Sequence, residues 1–141
     1  MPVVAGLTNS FKQEILSGTH NLSSGGNTLY LALYQDSANI SPSTTAYTTS
    51  GEASGTGYSA AGKVLTSAGI TLSGGTAYVD FTDLSWTSSS FSARGGLIYN
   101  STQSNKSIAV LDFGFEFTSS SSTLSVTFPS ANVDDAIIRI T

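Results

Sequence analysis

An all-β domain is what this sequence predicts, and three observations carry that expectation. Short apolar runs with two-residue alternation recur along the chain, Gly- and Ser-rich turn signals separate them, and one brief segment near the N-terminus has helical periodicity. The expected architecture is an antiparallel β-sandwich or small barrel, jelly-roll-like, with one short N-terminal helix. Residues 1–141 form a single β domain, a length sufficient to bury roughly two-thirds of the surface of the unfolded chain.

The helix is expected over Asn9 to Gly18, with Ser10 and Gln13 spaced as a capping box and Gly18 placed as the stop. Leu7, Phe11 and Ile15 recur every four residues, so this helix needs a larger surface to lie on. Thr28 to Tyr34 is apolar on both faces and reads as a central strand. From Gln35 to Leu65 no period is sustained, and the stretch reads as an extended loop. A connection that long is usually functional, which makes it the first candidate for contact with a partner.

Ile70-Thr71-Leu72 and Ala77 to Phe81 flank the hairpin signal Ser73-Gly74-Gly75. Leu84-Ser85-Trp86 and Phe91-Ser92-Ala93 flank a serine turn, and Leu97 to Asn100 and Ile108 to Phe113 flank a polar hairpin loop. Leu124 to Phe128 alternates strictly. A turn at Pro129-Ser130-Ala131-Asn132, carrying Asp134 and Asp135 into solvent, precedes a last strand at Ala136 to Ile140. Seven or eight strands result.

Composition excludes several classes of function. There is no cysteine, hence no thiolate nucleophile and no Cys-ligated metal. Charged residues make up 10% of the chain and the net charge is −4, which disfavours a phosphate backbone as partner. No apolar stretch is long enough to span a membrane, and the start of the chain lacks the pattern of a signal peptide. Neither a nucleic acid nor a membrane is an expected partner.

Catalytic constellations are weak. The sole imidazole, His20, reads as a surface or capping histidine, and no nucleophile elbow accompanies it. The carboxylate pairs Asp80 with Asp83, Asp112 with Glu116 and Asp134 with Asp135 are the only candidates for a glycosidase-type site, and each reads more simply as solvated or structural. No calcium loop and no nucleotide loop is present, so no catalytic, cofactor-binding or metal-binding residue is assigned and the chain is not expected to be an enzyme.

Aromatics carry more information. Most of Tyr30, Tyr34, Tyr78, Tyr99 and Trp86 alternate with core residues, whereas Tyr47 and Tyr58 lie in the aperiodic stretch and need cover from the loop, the domain body or another chain. With Val3 and Val4 of the segment Met1 to Ala5, which could add a strand to a neighbour, they are the candidate interface residues.

The segments Asn9 to Leu16, Leu31 to Tyr34, Gly55-Thr56-Gly57-Tyr58, Ala93 to Asn100, Ala109 to Gly114 and Ile137 to Ile140, taken in order, resemble a family of small structural proteins of tailed bacteriophages. The resemblance implies a virion component without catalytic residues or cofactor, assembled in the cytoplasm of the bacterial host. Its preferred assignment is a capsid decoration or cement protein that binds the major capsid protein, or other virion proteins, as a homo-oligomer such as a trimer. The alternatives are a receptor- or glycan-binding module of a tail fibre or spike, and a tail-tube or adaptor subunit.

Overall fold

A computed structural model describes residues 3–129, 132 and 134–141. Met1 and Pro2 of the N-terminal segment, and Ser130 and Ala131 of the turn before the last strand, lie outside the described residues. The chain is all-β; among the described residues there is one α-helix and every strand pairing is antiparallel.

Ten strands occur among the described residues: β1 (Gly6–Leu7), β2 (Leu29–Tyr34), β3 (Lys63–Leu65), β4 (Ser67–Ser73), β5 (Thr76–Phe81), β6 (Leu84–Ser89), β7 (Ser92–Asn100), β8 (Lys106–Thr118), β9 (Ser122–Val126) and β10 (Ile138–Ile140). They form a five-stranded sheet in the order β1-β8-β7-β2-β3, a three-stranded sheet β10-β5-β4 and a two-stranded sheet β6-β9. None of these sheets closes on itself. The β4–β5 hairpin turns at Gly74-Gly75 with Ser73 opposite Thr76, as its sequence predicts.

The helix α1 (Asn9–Leu16) starts at Asn9 as expected, but its cap lies two residues before Ser10, the capping residue that the sequence predicts. Its cap is Thr8, whose hydroxyl oxygen accepts from the Phe11 amide at 3.3 Å, and Ser10 lies inside the first turn. Thr8 wins because it is also held by β8: its amide donates to Ile108 O at 2.9 Å and its hydroxyl accepts from Ser107 Oγ at 3.0 Å. The stop falls at Gly18 as expected. Gly18 has φ +76°, and the amides of Gly18 and Thr19 return to the carbonyls of Ile15 and Glu14, the two bonds that define a Schellman ending.

Both faces of the large sheet are covered, and the period-two alternation of β2 decides which residue meets which cover. Leu29, Leu31 and Leu33 join Phe11 of the helix, Val79 and Phe81 of β5, Trp86 of β6, and Leu124 and Val126 of β9 in one core. Ala32 and Tyr34 point the other way, into a second core with Val3, Ala38, Ile40, Leu97, Tyr99 and Val110. Ala38 and Ile40 belong to the aperiodic stretch. That stretch is therefore a covering layer with its own buried anchors, and its last residues, Lys63–Leu65, are a strand on β2 where the sequence predicts only loop.

The ladder between β7 and β8 is interrupted twice: Ile108 is an extra residue between the pairs Ile98–Ala109 and Tyr99–Ser107, and a larger break lies farther along. Gly95 faces Asp112 but Ala93 faces Phe117, so the four residues 113–116 stand opposite Arg94 alone. Three extra residues bulge out of β8 there, with Gly114 at φ +91°.

Candidate interaction surface

The aperiodic stretch organises itself around Glu52, a residue that sequence reasoning misses. Its Oε1 accepts from the Tyr47 hydroxyl at 2.6 Å, and its Oε2 accepts from the Tyr58 hydroxyl at 2.5 Å and from the Ala61 amide at 2.8 Å. The Tyr58 oxygen in turn accepts the Leu33 amide of β2 at 3.0 Å. Tyr47 stacks on Tyr99 with ring centroids 4.9 Å apart, and Tyr99 stacks on Tyr30 and donates to Ala61 O at 2.7 Å. Tyr58 packs against Phe91 at 5.2 Å. The two candidate interface tyrosines are thus brought together on one carboxylate and are half-buried in their own chain.

Burial and the neighbouring carboxylate both disfavour phenolate in this cluster. The Tyr47 hydroxyl is pushed up to about 12, first by desolvation and then by its bond to Glu52. Tyr34, Tyr58 and Tyr99 are raised further, with burial the leading cause in each.

Val3 and Val4 separate. Val3 is buried in the second core, against the backbone of Gly95, while Val4 is exposed. Their backbone is engaged inside the chain, for the Val4 amide donates to Ile40 O at 2.9 Å and Gly6 and Leu7 pair with Val110 and Ala109 of β8.

His20 is a correction. It is buried, not superficial: Nε2 lies 2.9 Å from Glu14 Oε1, Nδ1 lies 2.9 Å from Asn100 Nδ2, and the ring tilts against Phe11. Asn100 Oδ1 already accepts from the amides of Thr102 and Gln103, so its Nδ2 faces the imidazole as a donor. His20 Nδ1 is then an acceptor and Nε2–H donates to Glu14. The cause of the miss is separation, since the partner that buries this ring is 80 residues away.

The three carboxylate pairs do not assemble as sites. Asp112 is bound by Arg94, which holds its carboxyl below the usual range, and Arg94 also reaches Asp36 at 3.0 Å. Glu116 accepts the Asp36 amide at 2.8 Å, tying the bulge to the start of the aperiodic stretch. Asp83 accepts the Phe128 amide, and Asp134 and Asp135 sit exposed on a turn whose amides bond to Asn132 Oδ1. Among the described residues no group of three or more His, Asp or Glu side chains is placed to hold a metal ion.

Several large apolar side chains remain exposed. Phe115 is 58% exposed and Phe117 42%, their rings 4.1 Å apart at the bulge of β8. Ile70 and Leu72 on β4 and Ile140 on β10 are also exposed. No helix among the described residues is long and apolar enough to cross a membrane. Comparison of the chain with protein-family models, with curated proteins and with solved structures returns no match.

Proposed function

We propose that this chain is a non-enzymatic structural protein of a tailed-phage virion, most specifically a capsid decoration or cement protein seated as a homo-oligomer on the major capsid protein. The observation that carries the reading is the contrast between a surface with few charges and a cluster of exposed phenylalanines, Phe115 and Phe117, because large apolar patches left open on a single chain mark contact with another protein. Apolar and hydrogen-bonded contacts repeated over many equivalent shell sites would supply attachment with little reliance on charge. Asp83, Asp112, Glu116 and His20 are engaged in bonds that hold the fold, which supports a surface role over catalysis.

As to architecture, the two smaller sheets share one core with a single face of the large sheet, an arrangement that favours a sandwich over a barrel. The glycan-binding alternative would use tyrosines standing free on one face, and Tyr47 and Tyr58 are instead bound to Glu52.

The test is co-sedimentation of the purified protein with capsids that lack it. Saturation at a fixed ratio to the major capsid protein, at hundreds of copies per particle, is the expected result. Attachment of only a few copies, or none, would move the protein to the tail or off the particle.

A further inference from the structure

Strands β8 and β9 follow one another in sequence, joined by residues 119–121, yet they do not pair. Ser119 holds the corner open. Its amide and hydroxyl both donate to Phe91 O, and its hydroxyl accepts from the Phe91 amide and from Ser89 Oγ. Beyond that corner β9 pairs with β6, while β8 lies in the large sheet with β7.

The divergence leaves two adjoining cavities of about 430 and 370 Å³ that share Phe113, Val126 and Thr127 in their walls. Their lining has an informative pattern. Residues 122–127 without interruption line the first, and residues 109–113 and 126–129 without interruption line the second. Successive side chains of a strand point to opposite faces, so an unbroken run of lining residues means that the cavity lies along the strand's edge. Among the described residues these edges are unpaired: β9 bonds only to β6, and β1 covers β8 only at Ala109 and Val110.

We propose that this cleft is a binding site for an extended, uncharged peptide segment of another protein, which enters as an added strand between β8 and β9. Free strand edges supply backbone donors and acceptors for such a segment. Phe113, Phe117, Leu124 and Val126 supply apolar contacts for its side chains. The one charged side chain in the walls, Asp112, is already neutralised by Arg94, so a charged segment would find no counter-ion. A second folded copy does not fit, because every described strand of this chain is already paired along at least one edge and the cleft accepts a strand with both edges free. Residues 122–129 extend over roughly 25 Å, room for about six to eight residues of guest. The inference goes beyond the capsid reading and holds whichever particle or protein supplies the segment.

The experiment uses the full chain and a synthetic octapeptide of alternating threonine and valine. Amide hydrogen exchange is followed by mass spectrometry with and without the peptide. Slower exchange confined to residues 113–118 and 122–127 is expected. A peptide N-methylated at alternate residues should bind about tenfold or more weakly, having lost several backbone bonds. Phe117→Lys, at an exposed position, should weaken the unmodified peptide by a similar factor with an unchanged circular dichroism spectrum. The proposal is overturned by absence of protection in these segments, by equal binding of the N-methylated peptide, or by protection of the same amides in the protein alone as its concentration rises, which would make a second copy the occupant. Peptide binding without capsid attachment would sink the decoration reading and leave the cleft standing; the reverse result would do the opposite.

Discussion

The Tyr58 hydroxyl donates to Glu52 Oε2 at 2.5 Å while accepting the Leu33 amide at 3.0 Å, so one phenolic oxygen joins the aperiodic stretch to strand β2 of the large sheet. Tyr47 donates to the other carboxylate oxygen and holds no strand amide. Tyr58→Phe therefore strands the buried Leu33 amide, while Glu52 Oε2 keeps the Ala61 amide, and should cost about 1–3 kcal/mol. Tyr47→Phe removes the donor to Oε1 of a half-buried carboxylate and should cost about 1 kcal/mol or less. Urea unfolding of both variants measures the difference; equal losses would mean that the Leu33 bond contributes nothing.

Alkali should attack the same cluster. A tyrosine raised in the folded state keeps its full stabilising contribution below the unfolded value near 10 and loses it as pH climbs through the folded value. For Tyr47 the window runs from about 10 to about 12, and Tyr34, Tyr58 and Tyr99 extend it upward. Phenolate absorbance followed against pH should show these four tyrosines ionising together with loss of β-sheet circular dichroism. Ionisation of the four near pH 10, with the sheet intact, would show that the cluster is solvated.

Ala61 and Gly62 test how tightly the stretch is pinned where it enters β3. Both have positive φ, +82° and +84°. A β-carbon on Gly62 would fall 1.9 Å from Leu31 O, so Gly62→Ala should destabilise by about 2 kcal/mol or more, seen as a large drop in the thermal midpoint. Ala61 already bears that left-handed strain and is held there by Glu52 on its amide and Tyr99 on its carbonyl. Ala61→Gly should be neutral or stabilising by up to about 1 kcal/mol.

The tautomer of His20 is fixed by a residue that never titrates. With Asn100 Nδ2 donating to it, Nδ1 should show the imidazole nitrogen resonance of an unprotonated acceptor and Nε2 that of a protonated donor. Asn100→Asp removes the donors to both His20 and Asn27, and should reverse the nitrogen pattern or destabilise by about 1–3 kcal/mol. A nitrogen spectrum identical to that of the parent, at unchanged stability, would refute the assignment.

How far the sequence can be read follows the range of the interactions. The β4–β5 hairpin is written in Ser73-Gly74-Gly75 between two alternating runs, and β7–β8 in two apolar runs around a polar loop. The pairing of β6 with β9 has no local signal, because Trp86 meets Leu124 across 38 positions and Ser89 meets Ser122 only after a register shift. The helix starts at Asn9 as its sequence predicts, but its cap is Thr8 and not Ser10, because Ser10 has the better local pattern and Thr8 the better tertiary partners. Tyr47 and Tyr58 are legible as residues in need of cover. Glu52 is not, since a lone acid in an aperiodic stretch looks like any solvated loop acid until the chain folds two phenols onto it.

The bulge at residues 113–116 also says where this chain can grow. The ladder between β7 and β8 resumes on both sides of it, and Asp112, Arg94, Asp36 and Glu116 clasp its base. A foreign epitope spliced in at Gly114 would lengthen an excursion that the sheet already steps around, without shifting the register of either flank, so this knuckle is the natural port for displaying cargo on the domain.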